Sequence, residues 1–130
     1  MIKFYSIYKS DFKIRNKILN SIKNVINKNN FILGKEVDEF ENNFSKYCGS
    51  KYAISCSNGT DAITLALLSL ELPKNSEVII PAMTYASTFY AVLNAGLKPI
   101  LVDINKKSWL MDIDEIEKKI TKKTKAIILV

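Results

Sequence analysis

The sequence contains no histidine and only two cysteines, Cys48 and Cys56, among its 130 residues. With no imidazole and no second cysteine pair, neither a zinc site nor a disulfide framework is indicated, and we expect two free, buried thiols. Long hydrophobic runs are also missing, since no uninterrupted apolar run exceeds five residues and no signal-peptide core follows the N-terminus. We therefore expect a cytoplasmic protein without a membrane span.

Glycine is scarce, and the four glycines, at positions 34, 49, 59 and 96, fit neither the dinucleotide fingerprint nor the Walker A loop. The net charge of +6 is concentrated in residues 117–125. No aromatic residues alternate with these lysines to stack on bases, and the lysines are expected on the solvated side of a helix whose apolar face carries Ile113, Ile116 and Ile120. The pattern disfavours a nucleic-acid partner.

The composition, 48% hydrophobic and 25% charged, is typical of one globular domain. In the first fifty residues, an apolar stripe from Phe12 to Ile26 and a second from Val37 to Tyr47 recur at helical spacing, and Gly49 ends the second. We therefore expect residues 1–50 to form an N-terminal helical arm without strands.

From residue 51 onward, short strands alternate with helices. Strands are expected at 52–56, 78–80, 100–102 and 126–130, and helices at 60–70, 87–95 and 113–120. Asp112 and Glu115 have the spacing of a capping box for the last helix. This order predicts an α/β fold with a parallel sheet, right-handed crossovers and flanking helices on both faces.

The turn Ser57–Asn58–Gly59–Thr60–Asp61 joins the first predicted strand to its helix. The first N–H groups of a helix lack carbonyl partners and the helix dipole adds positive charge, so this turn can hold a phosphate by its backbone. Gly59 allows a close approach of that backbone. The same residue types also cap ordinary helices, so a purely structural role stays open.

Tyr85 lies among small residues in the stretch 81–88, which follows the second predicted strand. Ligands of parallel sheets collect at the carboxyl ends of the strands, where residues 57–61, 81–88 and 103–105 are all expected. An aromatic ring beside an anion site suits a phosphorylated ring cofactor, one part holding the phosphate and another the ring face. Ordinary packing of Tyr85 stays open as the alternative.

Three segments carry a resemblance to a known family: FILGKEVDEFENNFSKYCGSKYAISCSNGTDAITLAL, EVIIPAMTYASTFYAVLNAGLKPILVDIN and ITKKTKAIILV. In this order they resemble the start of DegT/StrS nucleotide-sugar aminotransferases, pyridoxal 5′-phosphate (PLP) enzymes of fold type I. The resemblance implies that residues 51–130 are the first half of the PLP-binding large domain. It further implies that backbone amides around Gly59, Thr60 and Asp61 bind the phosphate and that Tyr85 stacks on the pyridine ring. The turn Phe31–Gly34 is expected near the sugar substrate.

The resemblance also implies the reaction and the partners. The expected substrate is a keto nucleotide-sugar, with dTDP-linked deoxysugars as the nearest subclass, aminated from an amino-acid donor for glycan biosynthesis by a homodimer. The family's cofactor-linked lysine and the carboxylate facing the pyridine nitrogen are expected beyond Val130, so we expect no catalytic residue within residues 1–130. The chain is then an N-terminal fragment or a shortened gene product, inactive alone. A non-catalytic phosphate- or nucleotide-binding module, or a regulatory interaction protein, stays open.

Overall fold

A computed structural model describes residues 14–130, and the chain divides into two compact units with the boundary between Ser55 and Cys56. Phe12, which opens the first predicted helical stripe, lies outside the described residues. No helix within residues 14–130 is long and apolar enough to cross a membrane.

The described part of the first unit contains two helices, α1 (Arg15–Lys28) and α2 (Lys35–Cys48). Both were expected from the apolar periodicity. The C-cap of α1 is Asn29 and the C-cap of α2 is Gly49. The φ of Gly49, 67°, lies in the left-handed region that glycine adopts without steric cost. The predicted glycine stop is therefore confirmed.

The strand predicted at residues 52–56 is not formed. Tyr52 and Ile54 are 72% and 84% exposed. The N–H and hydroxyl of Ser55 instead donate to the Glu41 carboxylate, at 2.7 and 2.6 Å, and these bonds hold the pKa of Glu41 below its usual value. A strand requires a hydrogen-bonded neighbour as well as a strand-like side-chain pattern, and no strand among residues 14–130 pairs with this segment.

The second unit has the alternating order that the sequence predicts. Its elements are α3 (Gly59–Ser69), β1 (Glu77–Pro81), α4 (Ala86–Asn94), β2 (Lys98–Val102), α5 (Ile113–Lys119) and β3 (Thr124–Ile127). Both strand pairings are parallel and the order is β2–β1–β3, so β1 is central. The parallel sheet is confirmed, with three strands in the described residues where four were expected.

One face of the sheet is covered by α3 and α4. Val78 and Ile80 of β1 are completely buried there, packed with Leu67 of α3, Val92 of α4 and Leu97. These alternate residues of β1 share a face because successive side chains of a strand point in opposite directions. The apolar face of each helix is thereby held against the central strand.

The opposite face is covered by α5. Ile79, also completely buried, packs with Val102 and Met111, and Ile116 of α5 joins this second core. Of the three isoleucines predicted on the apolar face of this helix, only Ile116 packs against the core. The sheet thus has helices on both faces, as expected.

The start of α5 differs from the predicted capping box. The Asp112 carboxylate accepts from the N–H of Asp114 at 3.0 Å and caps the helix as expected. Glu115, however, accepts from Lys118 Nζ at 2.7 Å along the same helix face. The ion pair one turn onward occupies the carboxylate that the capping box would turn back to the N-cap.

Cys48 and Cys56 are both free, as predicted, but both are exposed, where burial was expected. Each lies at the margin of a helix, Cys48 as the last residue of α2 and Cys56 just ahead of α3, and neither falls on a packed face. Within residues 14–130 no group of histidine, cysteine or acidic side chains is arranged to hold a metal ion.

A polar cluster secures the amino end of β1. The buried Glu77 carboxylate accepts from the Thr121 hydroxyl at 2.6 Å and the Thr124 hydroxyl at 3.4 Å, and Lys98 Nζ lies 3.7 Å away. The Glu77 N–H donates to the Lys123 carbonyl at 2.8 Å. One side chain therefore links the central strand to both of its neighbours.

This cluster predicts a pH dependence. The Thr121 hydroxyl, assisted by the charge of Lys98, holds the pKa of Glu77 below its ordinary value of 4.5. Because the folded-state pKa is the lower one, the stability from Glu77 is present above pH 4.5 and is lost as the pH falls through the lowered pKa. We expect Glu77→Gln to reduce stability at neutral pH and to flatten the acid-side loss, as measured by guanidinium denaturation across pH.

The exposed Glu117 of α5 provides the control, since Glu117→Gln removes a carboxylate that accepts no hydrogen bond from the described residues. Stability curves against pH that run parallel for Glu77→Gln and the wild type would contradict the role of this cluster.

Candidate functional site

The turn before α3 is capped by Asn58. Its side-chain Oδ1 accepts from the N–H of Asp61 at 2.9 Å, and its carbonyl accepts from the N–H of Ala62 at 3.0 Å. Asn58 has an extended backbone, as an N-cap residue requires. Asn58 is therefore an ordinary helix N-cap, as the alternative held. Whether the turn can also bind a phosphate depends on the other N–H groups of the first turn.

The N–H groups of Gly59 and Thr60 remain open, because no acceptor for either lies among residues 14–130. They are first-turn donors at the positive end of the α3 dipole. Gly59 does not have a positive φ, so its backbone conformation does not demand glycine. A Cβ at Gly59 would meet no atom within 4 Å, so the space beside Gly59 is clear.

The Asp61 carboxylate is turned toward its own turn. It accepts from the Ser57 hydroxyl and from Asn58 Nδ2, the latter at 3.0 Å. The N–H of Asp61 is already used by Asn58. Of the three residues predicted to offer amides to a phosphate, the structure thus leaves two, Gly59 and Thr60, with free donors.

Tyr85 occupies the N-cap position of α4, with φ −64° and ψ 138°, and is 83% exposed. The alternative of a half-buried packing residue does not describe this side chain. On either side of it, the Thr84 and Thr88 hydroxyls are hydrogen-bonded at 3.0 Å. The Tyr85 ring is therefore exposed at the start of α4, between two threonines whose hydroxyls are joined by a hydrogen bond.

Topology places Gly59 and Tyr85 at the same edge of the sheet. α3 leads into the amino end of β1, and α4 starts after the carboxyl end of β1 and leads to the amino end of β2. Both helices therefore run from the carboxyl edge toward the amino edge. Their contact includes the Thr64 hydroxyl of α3, which reaches the Ala91 carbonyl of α4 at 3.5 Å.

The third predicted stretch, residues 103–105, follows the carboxyl end of β2. Its polar groups serve its own loop: Asp103 Oδ1 accepts from the N–H of Ile104, and Asn105 Oδ1 accepts from the N–H groups of Lys107 and Ser108. A cavity of about 540 Å³ beside this stretch is lined by residues 103–107, Asp112 and Glu115. Sequence patterns did not indicate this cavity, and it offers no aromatic ring.

The family model of the DegT/DnrJ/EryC1/StrS aminotransferases matches residues 12–130. The chain belongs to this family. The resemblance read from the three sequence segments is therefore confirmed.

Two relatives match nearly the whole chain. The UDP-2-acetamido-2-deoxy-3-oxo-D-glucuronate aminotransferase of Pseudomonas aeruginosa is 39% identical over 98% of this chain and 36% of the relative. The dTDP-3-amino-3,6-dideoxy-alpha-D-galactopyranose transaminase of Aneurinibacillus thermoaerophilus is 37% identical over 100% of this chain and 36% of the relative. The chain thus spans about a third of the length of these relatives.

Solved structures agree with the fold. DesV of S. venezuelae, in complex with a ketimine intermediate, has a TM-score of 0.91 at 30% identity over 97% of this chain and 34% of that chain. NtdA of Bacillus subtilis, with bound cofactor PMP, the pyridoxamine form of PLP, has a TM-score of 0.84 at 41% identity over 88% and 26%. The predicted fold class, the first part of a PLP-dependent transferase large domain, is confirmed.

Proposed function

We propose that this chain provides the phosphate- and ring-binding part of a PLP-dependent aminotransferase that aminates a keto nucleotide-sugar from an amino-acid donor. The observation that carries the proposal is the pair of open amides at Gly59 and Thr60, at the sheet edge where the Tyr85 ring is exposed. Family membership supports it. Relatives named for UDP- and dTDP-linked sugars both match nearly the whole chain, so the proposal covers nucleotide-sugars as a class.

The residues present fit PLP. A phosphate dianion is suited by two backbone donors at a helix N-terminus, and the clear space above Gly59 admits it without steric conflict. The Asp61 carboxylate is held within its own turn by the Ser57 hydroxyl and Asn58 Nδ2, and the Asp61 N–H is used by Asn58, so the proposed phosphate contact is made by Gly59 and Thr60. The exposed Tyr85 ring offers a flat apolar face for the pyridine ring.

The roles of these residues are binding and orientation. PLP supplies the electron sink that amino-group transfer requires. The Gly59 and Thr60 amides hold its phosphate, the α3 dipole favours the negative charge, and the Tyr85 ring fixes the plane of the pyridine. We assign no proton-transfer role to these residues, so this chain anchors the cofactor without the catalytic groups.

We further propose that the 130-residue chain contains no activated lysine and does not transaminate by itself. A reactive amine needs a lowered pKa. Lys118 shows the opposite, since its hydrogen bond to the Glu115 carboxylate raises its pKa, and Lys28 is raised in the same way by Glu36. Both ammonium groups therefore stay protonated.

We also propose a cytoplasmic location and a homodimer for the complete enzyme. Exposed apolar residues of α2 support an interface: Phe40 and Phe44 are 56% and 46% exposed, with ring centroids 5.5 Å apart.

Both relatives above are named as enzymes, and no feature of the described residues favours the alternative of a non-catalytic module.

Replacing Gly59 with valine tests the phosphate assignment. The branched side chain enters the clear space beside Gly59, and we expect PLP affinity to fall by roughly 10- to 100-fold, since one lost charge-assisted hydrogen bond is worth about 1.5–3 kcal/mol. Stability should change little, because the added Cβ meets no atom within 4 Å. Spectrophotometric titration with PLP and thermal denaturation measure the two effects.

The matched control is Ala66→Val, which adds the same side chain at an exposed position in the interior of α3. It should leave PLP affinity unchanged. Wild-type PLP affinity in Gly59→Val would show that the turn does not hold the phosphate.

Borohydride reduction tests for an activated lysine. After PLP is added to the chain and reduced, peptide mapping should show only scattered, substoichiometric labelling, because every lysine within residues 14–130 is exposed. Pyridoxal, which has no phosphate, should give the same pattern. One stoichiometrically labelled lysine within residues 1–130 would show that the chain carries its own reactive amine and overturn this part of the proposal.

A further inference from the structure

The start of α4 lacks the usual capping interaction. Its N-cap residue is Tyr85, whose side chain makes no cap hydrogen bond, in a position where serine, threonine, aspartate or asparagine would supply an acceptor. The N–H of Thr88 donates to the Tyr85 carbonyl at 3.0 Å. The first turn is therefore closed through the Tyr85 carbonyl, without any contribution from the Tyr85 side chain.

A hydrogen-bonded pair of hydroxyls flanks Tyr85 at this helix start. Thr84 Oγ1 and Thr88 Oγ1 lie 3.0 Å apart, so the hydrogen bond joins the residue before Tyr85 to the residue three positions after it. Thr88 is only 3% exposed. Within the described chain neither hydroxyl makes another hydrogen bond, and a buried hydroxyl is costly to leave unpaired, so the Thr88 hydroxyl depends on Thr84.

The Tyr85 ring has no support of its own. It is 83% exposed, and no hydrogen bond or ring contact with another described residue involves its side chain. The backbone at Tyr85, with φ −64° and ψ 138°, sets the direction of its Cα–Cβ bond and thereby the region that the ring can occupy. That backbone lies inside the turn that the two threonine hydroxyls close.

We propose that Thr88 is a positioning residue: its hydrogen bond to Thr84 fixes the first turn of α4 so that Tyr85 holds its ring ready to stack on a planar phosphorylated cofactor. This inference rests on the proposed PLP function and deepens it. The hydroxyl acts through Tyr85 and touches no cofactor atom. The N-cap position of α4 thus carries an exposed aromatic side chain instead of a capping residue.

Isosteric substitution provides the test. Thr88→Val keeps the shape and removes the hydroxyl, and Thr88→Ser restores a hydroxyl. We expect Thr88→Val to weaken PLP binding by about fivefold, the order of one aromatic stacking contact, and to reduce the induced circular dichroism of the bound cofactor. Thr88→Ser should recover most of both signals.

A double-mutant cycle shows whether the effect passes through Tyr85. In a Tyr85→Ala background, Thr88→Val should cause no further loss of PLP affinity. Thr124→Val is the matched control, since it removes a part-buried hydroxyl at the amino edge of the sheet. It should lower stability without changing the induced circular dichroism.

Hydrogen exchange gives a readout that needs no cofactor. In the chain without PLP, the amide of residue 88, whose N–H donates to the Tyr85 carbonyl, should exchange faster in Thr88→Val than in the wild type after correction for the intrinsic rates of the two residue types. If exchange is unchanged, or if Thr88→Val binds PLP as the wild type does, the positioning role is wrong. Equal losses in Thr88→Val and Thr124→Val, or additive losses in the cycle, would likewise overturn it. If the wild type binds no PLP, the proposed function fails, and hydrogen exchange still decides whether Thr88 fixes the turn.

Discussion

Two backbone N–H groups at the start of α3 have no acceptor among residues 14–130, and the candidate site depends on them. They are open because Asn58 caps only the Asp61 amide, and because Gly59 places no side chain above them. The helix dipole adds partial positive charge at the same point. An anion is the ligand that this arrangement favours, and the stacking that we propose for Tyr85 at the same sheet edge would favour anions that carry a flat ring.

The buried strand β1 holds these parts in register. Val78 and Ile80 fix α3 and α4 on one face, and Ile79 anchors the α5 side of the sheet. Both α3 and α4 begin at the carboxyl edge of the sheet, so the Gly59–Thr60 turn and Tyr85 lie at that same edge. At the opposite edge, Glu77 links the neighbouring strands through Lys98 and Thr121. The Glu77 cluster and the proposed binding residues thus lie at opposite ends of β1.

Local patterns in the sequence predicted most of this fold. Helical periodicity and Gly49 located α2, and the alternation of short strands with helices predicted the parallel sheet. The strand at residues 52–56 was wrong because pairing depends on a partner that local sequence does not reveal. The bond between Glu77 and Thr121 spans 44 residues and has no periodic signal, so only the structure shows it.

The site was predicted in outline. The positions of Gly59, Thr60, Asp61 and Tyr85 came from turn chemistry and family resemblance, and their roles toward PLP stay predictions. What the sequence did not show is which acceptor each backbone N–H and each hydroxyl of the site uses. The use of the Asp61 amide by Asn58 and the hydroxyl pair around Tyr85 depend on side-chain directions, which residue types alone leave undetermined.

Amide chemical shifts give the most direct test of the phosphate site. In ¹⁵N-correlated spectra of the chain, adding PLP should move the Gly59 and Thr60 amide signals strongly, because their N–H groups gain a charged acceptor. Pyridoxal, which lacks the phosphate, should leave these two signals in place. The account would be contradicted if Gly59 and Thr60 stayed unmoved by PLP while the largest shifts fell in the lysine-rich residues 117–125.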